Sequence, residues 1–595
     1  MDKGSSSSNT STSSKLHGPI RISPLQMEHH HDDDDPSSAS FRHSNNNTHT
    51  NNNSNNDTAA GLFRDVSSSH NNNDTTTNSN DNNPLVWSPS GSWWRDMLHF
   101  VGPGWFVSIA YVDPGNYQAD IQAGATNRYA LLSIVWWTSL LSIYVQILCV
   151  RLTYYGHVTL AEAQARHTTS NAMRYLNWFL AEFATVITDL PEVIGIGIAC
   201  NTFFGWPYYV GVVLSLLTTM TFLATLHCGV RILEGLVFVF VAIMSIALMV
   251  ELAFVQPNTT ELLEGWFTGF TDLQSTDIFA ITGVVGAVVM PHNLYLHTAA
   301  CQARPVQKQH VRQAVKWSSW EPVVPIVVSF GVNLCIVAIA AEQVYGQPNA
   351  AAVGLTDFCQ YFSSIKGGCT LWGIALLAAG QSSAITTTYT GQYVMDGFLQ
   401  MQLPVHWRAI VTRLVAITPC ILVSILLPHQ LNRLVNMVNS SLSFLLPFAF
   451  TPLVKFNCSP HVLGEHASTG WERILLYAFA IAVWGINAVA LSVPGGGFLG
   501  DLRARMEGGT AAYALVIMIE VAVQVFYAWW NWRVLTMPLW AVGPQELPQS
   551  EESADDDEDD GITMMPDSST MIMKRDDEVI SSNNNSRERE HFSIT

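Results

Sequence analysis

Asp113, Pro114 and Asn116 stand in "YVDPGN" (111–116), inside a stretch, "GPGWFVSIAYVDPGNYQADIQAGA", that is otherwise mostly apolar or small. A carboxylate and an amide three residues apart supply oxygen donors. Proline has no N–H and clashes with the carbonyl four residues earlier, so Pro114 frees the carbonyl of Ala110. Asp113, Asn116 and Ala110 can therefore present three oxygens to one cation. "MPHN" at 290–293 repeats the device: Pro291 frees the carbonyl of Ala287, and Met290 adds a thioether. Ca²⁺ and Mg²⁺ take oxygen ligands, whereas sulfur is a soft donor, so this mixture favours Mn²⁺, Fe²⁺ or Cd²⁺. The plainer reading of Met290 is core packing. His292 beside it can titrate near neutral pH or serve as a hydrogen-bonded structural histidine.

A second set is carboxylic. Glu182, Asp189 and Glu192 in "AEFATVITDLPEVIG" are offset by 7 and 3 residues, which places all three on one helical face. Charges at membrane depth are costly and line a polar route or pair with one another, so these acids form a proton wire or a structural ion-pair set. Arg408 and Arg413 in "HWRAIVTR" are candidate partners for them, or positively charged anchors at the cytosolic face.

These residues need helices to position them. The chain has 595 residues, 48% hydrophobic and only 13% charged, and the apolar residues are concentrated between two polar tails. About twelve runs approach the roughly 20 residues that cross a hydrocarbon core: 97–124, 130–152, 176–203, 208–227, 232–255, 277–301, 320–345, 371–399, 408–427, 434–456, 473–494 and 509–533. Residues 1–92, rich in Ser, Asn and Thr, and 538–595 bury too little to order and are expected to be disordered, leaving 93–537 as the membrane domain. From 541 onward 15 Asp/Glu face 4 Lys/Arg, so more than half of the formal charge of −19 lies in that tail and says little about the core. Broken backbone is tolerated at membrane depth only where it is buried in protein or lines a polar cavity. Two interrupted spans, each first in a group of five, point to an inverted-repeat transporter with its site at the midplane.

Arg151, Arg166, Arg174, Arg231, Arg304, Lys308, Arg312 and Lys316 follow even-numbered spans, which places those loops and both tails in the cytosol. The 256–276 loop, with Glu261, Glu264 and Asp272 and no Lys or Arg, then faces outward, and Asn258 in "NTT" is a glycosylation candidate there. No charged segment followed by an apolar run opens the chain, so no cleavable signal peptide is expected. Most of the nine cysteines fall within spans, while Cys359 and Cys369 share the outer side and could form a disulfide.

"DPGN" in the first span, "MPHN" in the sixth and "LLAAGQSSAITTTYTGQYVMDGF" in the eighth closely resemble the Nramp family of proton-coupled divalent metal transporters, over about 97–537. The resemblance implies an all-α polytopic membrane protein with a LeuT-like 5+5 inverted repeat and two additional C-terminal helices. It implies metal ligation by Asp113, Asn116 and Met290 and by the carbonyls of Ala110 and Ala287. Asn439 in "MVNSSLSFLLPFAF" is similar to a polar position that joins the metal shell in one conformation. Proton roles are implied for Asp113, His292, Asp189 and Glu192. The chain departs from the family at Ala287, where many eukaryotic members have Cys, and at Thr387, where Gly is more usual. Because residue 287 contributes through its backbone, metal binding should survive the first change.

The function expected is proton-coupled import of Mn²⁺ and Fe²⁺, with Cd²⁺, Co²⁺ and Zn²⁺ as further candidates, at the plasma membrane or an endosomal or vacuolar membrane. Metal and protons are cargo; no resident cofactor and no nucleic-acid partner are expected. A signalling protein on the same membrane domain would carry a long soluble C-terminal domain, and an amino-acid symporter would present amides to a carboxylate that Asp113 repels. No phosphate loop, paired-cysteine zinc site or nucleophile elbow suggests an enzyme. "HHHDDDD" (29–35) is a solvated tract or a loose metal binder, and the acidic C-tail is a solvated segment or one that meets regulatory partners.

Overall fold

The computed structural model describes residues 87–225, 248–362, 366–401, 404–492 and 511–539, with isolated positions in the intervals 226–247 and 493–510. Most of both tails, with their expected disorder, and half of the fifth expected span lie outside the described residues. Apart from one isolated bridge, the described regular elements are helical.

The first span is interrupted as the proline predicts. Helix α1 (Pro103–Ser108) passes into a 3-10 turn (Ile109–Val112), Asp113 is extended (φ −89°, ψ 168°), and α2 (Pro114–Asn127) restarts with proline at its first position. The span begins at Pro103 rather than residue 97, because Gly102 (φ 148°) and Pro103 turn the chain away from a separate short helix, Trp93–Phe100. Helices α3 (Leu132–Gly156), α4 (Asn171–Phe204) and α5 (Tyr208–Thr225) follow. The second interruption separates α6 (Ile278–Val288) from α7 (Pro291–Gln302), with Met290 extended between them (φ −74°, ψ 130°). Then come α8 (Val323–Gln343), α9 (Gly368–Leu399), α10 (Val405–Leu426), α11 (Leu431–Leu445), α12 (Pro447–Asn457), α13 (Gly470–Ser492) and α14 (Ala511–Thr536). Among the described residues nine helical segments are long and apolar enough to cross a bilayer. The broken first span and α5 are the shorter apolar pieces, in line with about twelve crossings.

Helix pairing carries the repeat. Helix α2 packs along α8, and its counterpart α7 packs along α3; α4 meets α10, and α9 meets α5. The pairs α4–α9 and α5–α10 exchange into themselves. The protein is thus an all-α, LeuT-like 5+5 arrangement to which α13 and α14 are added, both packed on α12 and with most of their surface left to lipid. The two broken spans run antiparallel, since α1 packs on α7 while α6 packs on α2. This brings the two interruptions to one level.

Close approach depends on glycine. A Cβ on Gly195 of α4 would sit 2.7 Å from Cγ of Pro114, and one on Gly286 of α6 would run into the backbone carbonyl of Asn439 in α11. Gly283, one turn earlier on α6, has open space at the same place. Gly286→Ala should therefore destabilise the protein by about 1–3 kcal/mol through overpacking against backbone, whereas Gly283→Ala should be neutral or slightly stabilising. Thermal unfolding of the two variants in detergent checks the contrast, and equal midpoints would contradict the close approach.

Candidate functional site

Asp113 caps α2. Its Oδ1 accepts from the backbone N–H of Asn116 at 2.7 Å and from the Asn116 side-chain amide at 2.9 Å, and the same amide donates to the Ala110 carbonyl at 3.0 Å. Those bonds orient the remaining acceptors. Asp113 Oδ2 and Asn116 Oδ1 are buried without a protein partner, and so is Asn439 Oδ1 on α11. Unpaired buried acceptors are expensive. A Cβ on Gly115 would lie 3.0 Å from Asn439 Oδ1 and 3.3 and 3.4 Å from the two Asp113 oxygens, so amide and carboxylate flank one small space that only glycine leaves open.

Asn439 ties the two interruptions together. Its Nδ2 donates to the Gly115 carbonyl at 2.8 Å, while its own backbone carbonyl lies against Gly286. At the second interruption Ala287 and Met290 are both buried, and the Asn293 N–H turns back to the Met290 carbonyl at 3.2 Å. The first break thus presents oxygens and the second carries a buried thioether, with Asn439 between the two breaks. A cavity of about 610 Å³, lined by Gln122, Thr126, Asp277, Asn432 and Asn436 among others, leads from the side carrying the 256–276 loop. A narrow extension bounded by Gln122, Gly283 and Asn436 reaches Asn439.

The carboxylates assemble with both arginines. Arg413, fully buried on α10, places Nη2 3.4 Å from Asp189 and 3.3 Å from Glu192, and Arg408 pairs with Glu182. Burial removes the reading of these arginines as surface anchors. Two hydroxyls on α9 complete the group: Thr387 donates to Asp189 at 2.5 Å and also lies 3.3 Å from Glu192, and Ser383 donates to Glu192 at 2.5 Å. The departure at Thr387 therefore has a use here, because glycine would leave the carboxylates without that donor. His292 meets the same region, with Nδ1 3.3 Å from Thr188 Oγ1, next to Asp189, and Nε2 unpartnered.

A further buried chain was not anticipated. His297 Nδ1 bonds Gln146 at 2.6 Å, Gln146 donates to the Tyr111 hydroxyl at 2.9 Å, and that hydroxyl lies 2.5 Å from Ser142. It links α7 to the 3-10 turn of the first break through α3. Its signal in the sequence was a second intramembrane histidine five residues after His292, and a lone glutamine in an apolar span. Asn258 is exposed and caps the helix Thr259–Thr268, with its amide donating to Glu261 at 2.8 Å. Cys359 and Cys369 are joined as a disulfide.

Comparison with known proteins gives one answer. A family model described as natural resistance-associated macrophage protein-like (Nramp) matches residues 104–492. The chain is 36% identical over 449 residues to a Populus trichocarpa protein named metal transporter Nramp2, covering 72% of this chain and 82% of that one. It is 35% identical over 406 residues to a Nostoc divalent metal cation transporter MntH, covering 67% and 92%. A crystal structure of a mutant Eremococcus coleocola manganese transporter superposes with a TM-score of 0.65 at 26% identity, over 78% of this chain and 99% of that one. With broken spans, polar break residues and helix pairing all accounted for, the chain belongs to the Nramp family.

Proposed function

We propose that this protein carries divalent transition metals, Mn²⁺ and Fe²⁺ foremost, into the cytosol by alternating access, with protons moving in the same direction. The observation that carries this reading is the trio of buried acceptors lacking a protein partner, Asp113 Oδ2, Asn116 Oδ1 and Asn439 Oδ1, the last of which lines the narrow extension of the polar cavity. A cation satisfies all three at once, and an anionic substrate would meet the carboxylate. Relatives named as divalent metal and manganese transporters support the same class. Ala110 and Ala287 add carbonyl oxygens; the Ala110 carbonyl keeps a second lone pair beside its bond to Asn116. Met290 supplies the soft donor that disfavours Ca²⁺ and Mg²⁺.

Charge balance supports the proton role. Asp189 and Glu192 share a single guanidinium, Arg413, so the trio is one negative charge in excess unless it takes up a proton. Thr188 gives its one hydrogen to the Ala184 carbonyl at 2.8 Å, so it accepts from Nδ1–H of His292 and leaves Nε2 as a lone pair able to receive a proton. His292 and Thr188 then bring the break beside Met290 up to the turn of α4 that carries Asp189. With both tails and the basic loops in the cytosol, an inside-negative potential drives each charge inward with about 2.3 kcal/mol per 100 mV. The membrane is the cell surface or an endosomal or vacuolar one, and Asn258 is the glycosylation candidate on its outer side.

Uptake of Mn²⁺ into proteoliposomes with an internal pH dye, against excess external Ca²⁺ or Mg²⁺, tests the proposal. Uptake should survive the competitor and acidify the lumen; failure of folded protein to move Mn²⁺, Fe²⁺ or Cd²⁺ would refute it. Asp113→Ala should abolish uptake, and Met290→Ala should chiefly erode the preference over Ca²⁺, so an unchanged Mn²⁺ to Ca²⁺ ratio would count against a ligating sulfur. Thr387→Val, which removes the donor to Asp189 and the hydroxyl 3.3 Å from Glu192, should leave Mn²⁺ affinity by calorimetry unchanged while altering the pH dependence of uptake; an unaltered profile would separate these acids from proton movement.

A further inference from the structure

The "GPG" at 102–104, where α1 begins, sits between two buried or partly buried charges from other elements. Glu321, just before α8 and 6% exposed, accepts from the N–H groups of Gly102 at 2.8 Å, Gly104 at 2.6 Å and Trp105 at 3.0 Å. The first amides of a helix have no partner within it, and Pro103 has none to offer, so one carboxylate gathers the amides at this end of α1. Arg304, just beyond α7, donates to the carbonyls of His99 at 2.5 Å and Val101 at 3.0 Å. Both glycines are required: a Cβ on Gly104 would collide with the Glu321 carboxylate and lie 3.0 Å from Cα of Pro322, and one on Gly102 would strike the Arg304 guanidinium.

Beneath this double grip Phe100, Tyr154 and Cys301 share a buried apolar cluster with Trp87, whose backbone bridges Val306. The gripped end is remote from the cavity that reaches Asn439, since α1 lies before the break and the cavity is lined by residues after it, on α2 and α11. We infer that Glu321 and Arg304 are positioning residues that clamp the cytosolic end of the first broken span, and that metal leaves inward only when α1 is released from them. This rests on the alternating-access reading above.

Release should uncover Cys301, now 1% exposed, while Cys335 on α8, buried in a different cluster, serves as a control for general loosening. Full-length protein in proteoliposomes is treated with N-ethylmaleimide, and each cysteine is quantified by peptide mass spectrometry. Glu321→Gln, which loses the charge and one acceptor oxygen, should raise Cys301 labelling several-fold without changing Cys335, and Glu321→Ala should raise it further. Because fewer molecules then face outward, the apparent KM for external Mn²⁺ should rise in Glu321→Gln although every proposed ligand is intact. If Glu321→Ala exposes both cysteines through misfolding, Glu321→Gln decides. Unchanged Cys301 labelling and KM in folded Glu321→Gln, with wild-type uptake normal, would overturn the clamp and leave the transport reading standing. Selective Cys301 exposure in a protein that moves no metal would instead support the clamp and reject transport.

Discussion

A peptide group in hydrocarbon has no water to bond, so every interruption of a spanning helix must be resolved by the protein around it. Two prolines, Pro114 and Pro291, impose that condition twice at one level of this molecule, and much of the remaining architecture answers it. Asn116 folds its amide back onto Ala110 and Asp113; Asn439 reaches across to the Gly115 carbonyl. Glycines at 115, 195 and 286 allow helices to approach closely enough for those bonds to form. What is left over, a few oxygens without protein partners, is the chemistry that suits a cation.

The same condition explains why polar residues elsewhere in the membrane domain occur in groups. Arg413 is fully buried yet faces two carboxylates, each of which also accepts from a hydroxyl of α9. Removing one member of such a group strands the others, at a cost of about 3–5 kcal/mol for a broken buried pair. Helices α4, α9 and α10 are thereby joined by charge as well as by packing. His292, two residues past Met290, meets Thr188, the residue before Asp189 on α4, so the second break and the acidic group lie close to one another.

The two ends of the first broken span differ. Past the break, α2 borders a polar cavity through Gln122 and Thr126. Before the break, α1 is held by Glu321 and its preceding loop by Arg304. An asymmetric arrangement of this kind, with a cavity toward one face and bonded contacts at the other, is what the proposed alternating-access cycle would require of one of its conformations.

Much of this was legible in the chain itself. The spans follow from runs of apolar residues near 20 long, because the hydrocarbon thickness leaves little freedom. The breaks at Pro114 and Pro291 follow from the missing proline N–H, and the shared face of Glu182, Asp189 and Glu192 from helical periodicity alone. Partners were another matter. That Arg413 rather than water meets Asp189, that Thr387 bridges two carboxylates, and that Gln146 connects His297 to Tyr111 depend on which helix faces which. Those contacts join residues more than a hundred positions apart, or 35 in the case of Gln146 and Tyr111, and no local pattern specifies them. The start of the first span at residue 103 has a local cause in Gly102 and Pro103, but that Glu321 and Arg304 hold this turn is a matter of tertiary contacts. Local rules set where the backbone must break and which residues are costly to bury; only packing decided which partners make that burial tolerable.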